Sequence, residues 1–167
     1  HTGSLYYIYL VSPYTIIKAG FLDKLSSVGQ CYSIEHDLNC VWKKDIWGEI
    51  RGGTPARFVD GAYITFFHAW NYYPKYKNYF YVMGAYVFEA RPPFKILGIT
   101  PKPIFFKEIY STQHLNVNKH VIYPAGFAIE RKGKKMLLHV SCGENDTAIR
   151  VVSIDKDALF SSMVSVA

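Results

Sequence analysis

Short runs of hydrophobic residues, separated by turn-forming residues, dominate the chain. The runs are rich in aromatic and β-branched side chains, a pattern typical of β-strands. The predicted strands cover residues 5–11, 28–34, 56–59, 62–67, 79–90, 94–99, 103–106, 125–130, 135–141 and 147–154. Because the connections between most of them are short, we expect antiparallel pairing.

Turn and capping signals define several boundaries within this pattern. Asp60-Gly61 predicts a two-residue type I′ hairpin, since both residues tolerate a positive φ. Gly133, set among basic residues at 131–135, predicts a second hairpin tip. Asp155 is a good N-cap for a short helix ending near Met163. Residues 35–49 form a polar, tryptophan-bearing loop, and the chain as a whole predicts an all-β fold of the propeller, sandwich or barrel type.

Composition narrows the class of protein. Of the 167 residues, 50% are hydrophobic, 17% are aromatic and 19% are charged. This excludes a disordered chain, which would have few aromatic residues. Charges or turn residues interrupt every apolar run, so no membrane-spanning segment is expected. Residues 1–4 resemble an expression-tag remnant, and residues 5–167 are predicted to form one all-β domain, itself a fragment or half of a larger propeller.

Charge and cysteine content argue against several kinds of site. The net charge of +6 is spread along the chain rather than gathered into a stripe, which favours a solvated basic surface over nucleic-acid binding. The three cysteines, Cys31, Cys40 and Cys142, show no CxxC spacing. We therefore expect buried free thiols, with no metal or other cofactor. Free thiols weakly favour a cytoplasmic location.

One glycine-rich segment and one histidine are candidates for ligand contact. Arg51-Gly52-Gly53-Thr54-Pro55 combines a flexible backbone with a guanidinium that could grip a carboxylate, phosphate or sugar hydroxyl pair. A plain turn explains its glycines equally well. His68 is predicted to end an apolar strand, and the aromatic-rich residues 70–74 are predicted to form a loop whose flat faces suit sugar rings. A structural histidine is an equally good interpretation.

Asn145-Asp146-Thr147 follows Cys142-Gly143-Glu144 in a predicted turn. An Asx turn explains the triplet locally. The same residues form a glycosylation sequon, which matters only for a secreted chain. A carboxylate at the mouth of a β-structure could also hold a sugar hydroxyl pair.

Five stretches follow one another in order between residues 50 and 155. They are Arg51-Gly52-Gly53-Thr54-Pro55, Phe66-Phe67-His68-Ala69, Tyr81-Val82-Met83-Gly84-Ala85-Tyr86, Ile122-Tyr123-Pro124-Ala125-Gly126 and Ser141-Cys142-Gly143-Glu144-Asn145-Asp146-Thr147. In this order they resemble the C-terminal half of glycoside hydrolase family 130, the β-mannoside phosphorylases and related enzymes with a five-bladed β-propeller. The resemblance implies an antiparallel, partial propeller of about three blades.

The resemblance also implies a sugar site. The residues expected to contact substrate are Arg51, Gly53, Thr54, His68, Trp70, Tyr81 and Asp146. Glu49 falls where the family has a phosphate-binding lysine, and a carboxylate there would repel phosphate. That departure favours a hydrolase or transferase over a phosphorylase, with Glu49 as a candidate base. The family's general acid belongs to an earlier blade, outside this chain.

We therefore expect a carbohydrate-active protein that acts on or binds mannosides or similar glycosides. The expected partner is an oligosaccharide or glycan, and a second copy of the chain could complete the propeller. The alternatives are a non-catalytic glycan-binding β-domain, a sugar-nucleotide-dependent glycosyltransferase, and a structural or interaction protein. The aromatic residues Trp70, Tyr72, Tyr73 and Tyr81 are predicted to cluster around His68.

Overall fold

The structure is a computed structural model, and it describes residues 5–11, 14–19, 31–34, 38 and 41–166. Within these residues the chain forms three β-sheets, two short helices and one 3-10 turn. Every strand pair among these residues is antiparallel except the two-residue pairing of residues 79–80 with Lys119–His120. The prediction of an all-β, antiparallel fold is therefore confirmed. The predicted tag remnant at residues 1–4 lies outside the described residues, and the single-domain prediction stays a prediction.

Sheet A is a three-stranded meander in the order β1-β2-β3. Its strands are β1 (Tyr6–Val11), β2 (Tyr14–Lys18) and β3 (Cys31–Ile34). The sequence predicted β1 and the described part of β3 but missed β2, which follows directly after Ser12-Pro13. A proline next to a hydrophobic run does not prevent a strand when it precedes the first paired residue.

Sheet B has the order β13-β8-β7-β6-β4, with β5 added to β6 and β9 to β7. Its strands are β4 (Glu49–Gly53), β5 (Arg57–Val59), β6 (Ala62–Tyr73), β7 (Asn78–Glu89), β8 (Ile96–Ile99), β9 (Lys119–His120) and β13 (Val164–Ser165). Between β6 and β7 the chain turns through a 3-10 turn at Pro74–Tyr76. The predicted I′ turn is confirmed, with φ values of 48° at Asp60 and 91° at Gly61.

Sheet C is a second meander, in the order β10-β11-β12. Its strands are β10 (Ile122–Lys132), β11 (Lys135–Glu144) and β12 (Ala148–Asp155). The hairpin tip at Gly133 is confirmed, since Lys132 pairs with Lys135. Helix α2 (Lys156–Ser161) follows β12, and the Asp155 carboxylate caps it by accepting a hydrogen bond from the Ala158 N–H at 3.0 Å.

Sheet B lies between the other two sheets and shares a core with each. One core joins Tyr14 and Ile16 of sheet A to Phe67 and Val82 of sheet B. The other joins the opposite face of sheet B to sheet C. Neighbouring residues of β6 and β7 therefore contribute to different cores. This arrangement explains why their sequences are almost continuously hydrophobic rather than alternating.

Four predictions about local structure are wrong. Strand β6 continues to Tyr73, so His68 does not end it and residues 70–73 are strand rather than loop. Residues 103–106 form no strand, because prolines at 101 and 103 remove ladder donors; only the Ile104 N–H bonds to β7, at Met83 O (2.8 Å). The predicted loop 35–49, as far as it is described, contains helix α1 (Lys44–Trp47) and the first residue of β4. Cys31 is exposed rather than buried.

Cys142 is buried as predicted, and burial raises the pKa of its thiol to about 11. Cys40 lies outside the described residues. No helix among the described residues is long and apolar enough to cross a membrane.

Candidate functional site

The candidate site is an open row of aromatic rings on the outer half of the β6–β7 hairpin. We call this row the aromatic ladder; it consists of His68, Trp70, Tyr72, Tyr79 and Tyr81. Direct cross-strand pairs set it up, because Trp70 lies opposite Tyr81 and Tyr72 lies opposite Tyr79. Directly opposite side chains share one face of a sheet, so these rings stand next to one another.

The rings contact each other without a gap along the ladder. Ring centroids are 6.3 Å apart for His68 and Tyr81, 6.1 Å for Tyr81 and Trp70, 5.6 Å for Trp70 and Tyr79, and 4.9 Å for Tyr79 and Tyr72. The first two pairs are near-parallel, at 15° and 26°. Parallel rings along one face make a flat apolar platform several side chains long.

The ladder continues a face that is buried at its other end. Phe66 on β6 and Met83 on β7 occupy the same face, two residues before His68 and two after Tyr81, and both lie in the core shared with sheet C. Sheet C covers the face only as far as Tyr123 of β10, whose ring lies 4.6 Å from His68. The aromatic rings therefore change from core to open surface where the covering sheet ends.

Strand β4 adds charged groups to the edge of the ladder. Glu49 pairs with Trp70, and Arg51 pairs with His68, so both side chains lie on the ladder face. The Arg51 guanidinium lies over the Trp70 ring at 5.9 Å, and its Nη2 is 3.8 Å from Glu49 Oε2. Both charged side chains are more than half exposed, so their ion pair adds little stability and leaves them available to a ligand.

Gly48 determines how closely β4 approaches β6. A Cβ atom at this position would lie 1.9 Å from the Trp70 carbonyl oxygen, and the backbone φ is +87°. The buried Trp42 indole fixes the same turn by donating a hydrogen bond to Gly48 O at 2.9 Å. These contacts bring Glu49 and Arg51 to the ladder.

A small pocket of about 450 Å³ opens beside β4. Its lining residues are Lys44, Asp45, Gly48, Glu49, Arg51, Trp70 and Asn71. The pocket lining includes two acidic and two basic residues, and of these Arg51 lies over the Trp70 ring. The Asn71 amide positions α1 there by donating to the carbonyls of Asp45 (3.0 Å) and Ile46 (3.2 Å).

His68 is held in place at the inner end of the ladder. Its Nδ1 lies 2.5 Å from the Gly52 carbonyl oxygen, which makes Nδ1 the protonated nitrogen and leaves Nε2 as an acceptor. Burial lowers the pKa of His68, and the nearby Arg51 charge acts in the same direction, against the opposing effect of the Gly52 bond. The imidazole is therefore neutral at pH 7.

Gly53 and Thr54 have packing roles. A Cβ at Gly53 would lie 2.2 Å from Phe66 O, so only glycine permits this strand approach. Thr54 is buried, its hydroxyl accepts a hydrogen bond from the Phe66 N–H at 3.0 Å, and its backbone N–H donates to Phe66 O. Their predicted contact with a sugar stays a prediction.

Asp146 lies apart from this arrangement of contacts. It is exposed in the β11–β12 turn with φ 58°, and its carboxylate forms no hydrogen bond or ion pair with another described residue. The neighbouring Asn145 is 2% exposed, and its amide donates to Tyr110 O and Thr112 O while its Oδ1 accepts from the Val121 N–H. The predicted Asx turn is not formed, because Asn145 Oδ1 accepts from Val121 and the turn is closed instead by the Thr147 N–H, which donates to Glu144 O at 3.1 Å.

The structure brings together Glu49, Arg51, His68, Trp70 and Tyr81 of the sequence-predicted site. Tyr72 joins them as predicted, but Tyr73 does not cluster with His68: its ring packs on Phe80 and its hydroxyl donates to Ile46 O. Sequence reasoning missed Tyr79, Tyr123 and Asp45. The two-residue period of β7 could have indicated Tyr79, whereas no local signal places Tyr123 beside His68 or Asp45 in the pocket beside β4.

Among the described residues, no group of three or more His, Cys, Asp or Glu side chains is placed to hold a metal ion. Comparisons with protein-family models, with curated proteins and with solved structures find no match to the chain.

Proposed function

We propose that this protein binds glycans on the aromatic ladder, as a carbohydrate-active protein of the β-mannoside phosphorylase and hydrolase type. The observation that carries the proposal is the unbroken row of rings from His68 to Tyr72, edged by Arg51 and Glu49. Aromatic faces stack on the apolar faces of sugar rings, and a guanidinium or carboxylate at the edge can hold a pair of hydroxyls.

The spatial convergence of the five family-like stretches supports the proposal. Arg51 of the first stretch pairs with His68 of the second, and β6 pairs with the third along its whole length. Tyr123 of the fourth contacts His68 and pairs with Gly143 of the fifth. Four of the stretches, far apart in sequence, thus meet around one histidine, and the fifth lies beside the fourth; a shared binding site requires such convergence.

We also propose that sheets A, B and C are blades of a partial propeller. Sheets A and C are meanders of consecutive strands, the sheet topology of a propeller blade. Further sequence or a second copy of the chain would then supply the remaining blades. Sedimentation-velocity analysis of the purified chain tests the second route: a closed two-copy assembly supports it, and a monomer at high concentration contradicts it.

Binding is tested by titrating mannooligosaccharides into the protein with calorimetric detection. Because Trp70 is central to the ladder, we expect Trp70→Ala to weaken binding by about tenfold or more, equivalent to about 1.4 kcal/mol. Phe58→Ala is the control, since Phe58 is an exposed ring on sheet B that lines a separate, larger cleft. Loss of binding in Phe58→Ala alone would assign the sugar site to that cleft and contradict the proposal that the aromatic ladder binds glycans.

Catalysis is tested separately from binding. Hydrolysis with two carboxylates requires an acid and a base or nucleophile on either side of the scissile bond. If Glu49 is the base, Glu49→Gln should abolish turnover of aryl mannosides while leaving binding intact. Asp146→Ala should weaken binding if that residue holds a sugar hydroxyl pair; unchanged binding and turnover would remove it from the site.

A non-catalytic glycan-binding domain is the second candidate. It is favoured by the exposure of Glu49, whose side chain is 73% open to water and is not enclosed as acid–base groups usually are. Binding without turnover in the wild-type chain would select this function. Transfer from a sugar nucleotide without hydrolysis would instead select a glycosyltransferase.

A further inference from the structure

The end of the β6–β7 hairpin extends beyond the strands beside it. The last residue of β6 that pairs with β4 is Trp70, whereas β6 and β7 pair with each other as far as Tyr73 and Asn78. The turn between them, Pro74–Tyr76, ends at Lys77 with a φ of 49°. Side chains on this turn are therefore presented outward, away from both cores.

A second segment lies against the same end of the hairpin. The Asn78 amide donates to Val117 O at 3.1 Å, and the Tyr79 N–H donates to Asn118 O at 3.1 Å. Lys119 then pairs with Tyr79 in the short parallel ladder of β7 and β9. Residues 115–119 and the turn thus form one surface.

This surface combines exposed apolar side chains with lysines. Tyr76 is 61% exposed, Leu115 is 74% exposed and Val117 is 78% exposed. Lys75 and Lys77 are exposed on the turn itself, and the Lys75 ammonium lies 5.6 Å from the Tyr76 ring centroid. We call this surface the lysine–tyrosine tip; it consists of Lys75, Tyr76, Lys77, Leu115, Val117 and Lys119.

The charge around the tip is predominantly positive. The tip itself, residues 74–77 and 115–119, carries three lysines and no carboxylate. Beside it, α1 and the residue before it carry Lys43, Lys44 and Asp45, and Glu49 and Arg51 line the same pocket as Lys44. Asp146 follows Asn145, whose carbonyl accepts from the Leu115 N–H. Six basic against three acidic side chains give this end of the molecule a net positive charge.

We propose that the lysine–tyrosine tip docks on the surface of membranes that contain anionic lipid. Tyrosine is suited to the interface between water and hydrocarbon, because its ring is apolar and its hydroxyl is polar. Leucine and valine beside it would enter the headgroup region, while lysines bind acidic headgroups. The docking is peripheral and is independent of glycan binding on the ladder.

A second hairpin tip on the same molecule argues for a membrane rather than a soluble polyanion. The β10–β11 tip carries more basic side chains than the lysine–tyrosine tip. They are Arg131, Lys132, Lys134 and Lys135, and all four residues are exposed. It carries no exposed large apolar side chain among the described residues. A nucleic acid or acidic protein would bind such a tip at least as well, whereas exposed aliphatic side chains gain only from an apolar phase.

The experiment is co-sedimentation of the full chain with vesicles of phosphatidylcholine alone and of phosphatidylcholine with about 30% phosphatidylserine, which gives the negative surface potential that attracts lysines. We expect binding to the anionic vesicles only.

Reversal of two tip lysines in K75E/K77E should weaken vesicle binding by more than about 25-fold, since each lysine contributes about fivefold. The matched control K134E/K135E reverses two lysines on the other tip and should change binding by less than about threefold. L115S/V117S tests the apolar component and should weaken binding with all charges kept.

Three results with vesicles would overturn the proposal, and a competition experiment gives a fourth. The vesicle results are absence of binding to anionic vesicles, equal loss in K75E/K77E and K134E/K135E, and full retention of binding in L115S/V117S. The last two would indicate adsorption through net charge alone. Competition by polyglutamate or single-stranded DNA that removes binding completely at physiological salt would assign the surface to a soluble polyanion instead. Thermal unfolding of each variant checks that the fold is kept, and wild-type glycan binding in each variant separates this proposal from the proposed function.

Discussion

The two long hairpins of the molecule, β6–β7 and β10–β11, have similar lengths and different surroundings. The β6–β7 hairpin is in the central sheet, and half of it is covered on both faces. The β10–β11 hairpin is in an outer sheet, so Leu138 and Val140 face the core while His139 faces outward. Where it is not covered by a neighbouring sheet, the β6–β7 hairpin exposes aromatic rings, whereas the β10–β11 hairpin exposes charged and polar groups. The position of a strand in the layers therefore decides which aromatic residues are available to a ligand.

The hairpins also differ in the kind of polar side chain that forms their hydrogen bonds. The solvent face of sheet C carries a chain of hydrogen bonds in which His139 lies 2.9 Å from Glu130 Oε2 and 2.8 Å from Ser153 Oγ. Its core face carries Glu144, which is fully buried and paired with Arg150 at 2.8 Å. The β6–β7 hairpin instead uses hydroxyls, with Thr65 Oγ1 donating to Thr54 O at 2.7 Å. Among the described residues, the buried charged side chain thus lies in the outer sheet.

The largest expected effect concerns that buried ion pair. Arg150→Met leaves the Glu144 carboxylate buried without its partner, and we expect the free energy of unfolding to fall by about 3–5 kcal/mol. Urea denaturation measures the change. The double variant E144Q/R150M should recover part of the loss, because it removes the buried charge as well. A loss below about 1 kcal/mol in the single variant would mean that water already solvates Glu144.

Next in size is the close approach of β4 to β6. Gly48→Ala places a methyl group against the Trp70 carbonyl at a positive φ, so we expect a loss of about 2–4 kcal/mol in unfolding free energy. Gly133→Ala, on the β10–β11 tip, is the control with a positive φ and no atom within 4 Å. It should cost only about 1–2 kcal/mol, the conformational component alone. Equal losses in the two variants would show that β4 moves freely away from Trp70.

A smaller effect is expected from pH. Burial lowers the pKa of His68, so the unfolded chain takes up its proton before the folded one does. The stability that the neutral imidazole provides is present above the ordinary histidine pKa of about 6.5 and is lost as pH falls through the folded value. Burial lowers the pKa of His120 in the same way. We expect His68→Gln to reduce the loss of stability between pH 7 and pH 5, as followed by thermal unfolding; an unchanged pH profile would contradict this.

The smallest effect concerns an exposed ion pair between α2 and the β5–β6 turn. Lys156 of α2 donates to Asp60 in the β5–β6 turn at 2.7 Å. Because Asp60 is exposed, Asp60→Asn should cost at most about 1 kcal/mol. Asparagine tolerates the positive φ of this turn, so the turn itself is kept. The cost should shrink further in 1 M salt, and a loss that is insensitive to salt would mean that the turn rather than the charge was affected.

Local features of this fold could be predicted from the sequence alone. The Asp60-Gly61 turn, the Asp155 cap and the strands of the β10–β11 hairpin follow from φ preferences, side-chain capping and hydrophobic runs, all of which act within a few residues. Strand β2 was missed because Ser12-Pro13 suggested a longer interruption than the structure has. The strand predicted at residues 103–106 was wrong for a different reason. That apolar run packs along β7 but does not form a series of backbone hydrogen bonds with a neighbouring strand.

The candidate site could be predicted only in part. Glu49, Arg51, His68, Trp70 and Tyr81 were all named from the sequence, and the structure brings them together. Tyr73 was assigned to the same cluster, yet it lies on the opposite face. It is three residues from Trp70, and successive side chains of a strand alternate between the two faces. Tyr123 comes from another sheet, and a contact of that kind depends on how the sheets pack.

Strand content, turns and the abundance of aromatic residues in β6 and β7 follow from local preferences that can be read in the chain. Which of those residues are core and which are surface depends on how the sheets pack. Phe66 and His68 are two residues apart on the same strand face, and only the extent of sheet C separates a buried ring from one at the edge of an open platform. Local preferences act over a few residues, whereas the cover over a face depends on the packing of strands that are distant in sequence.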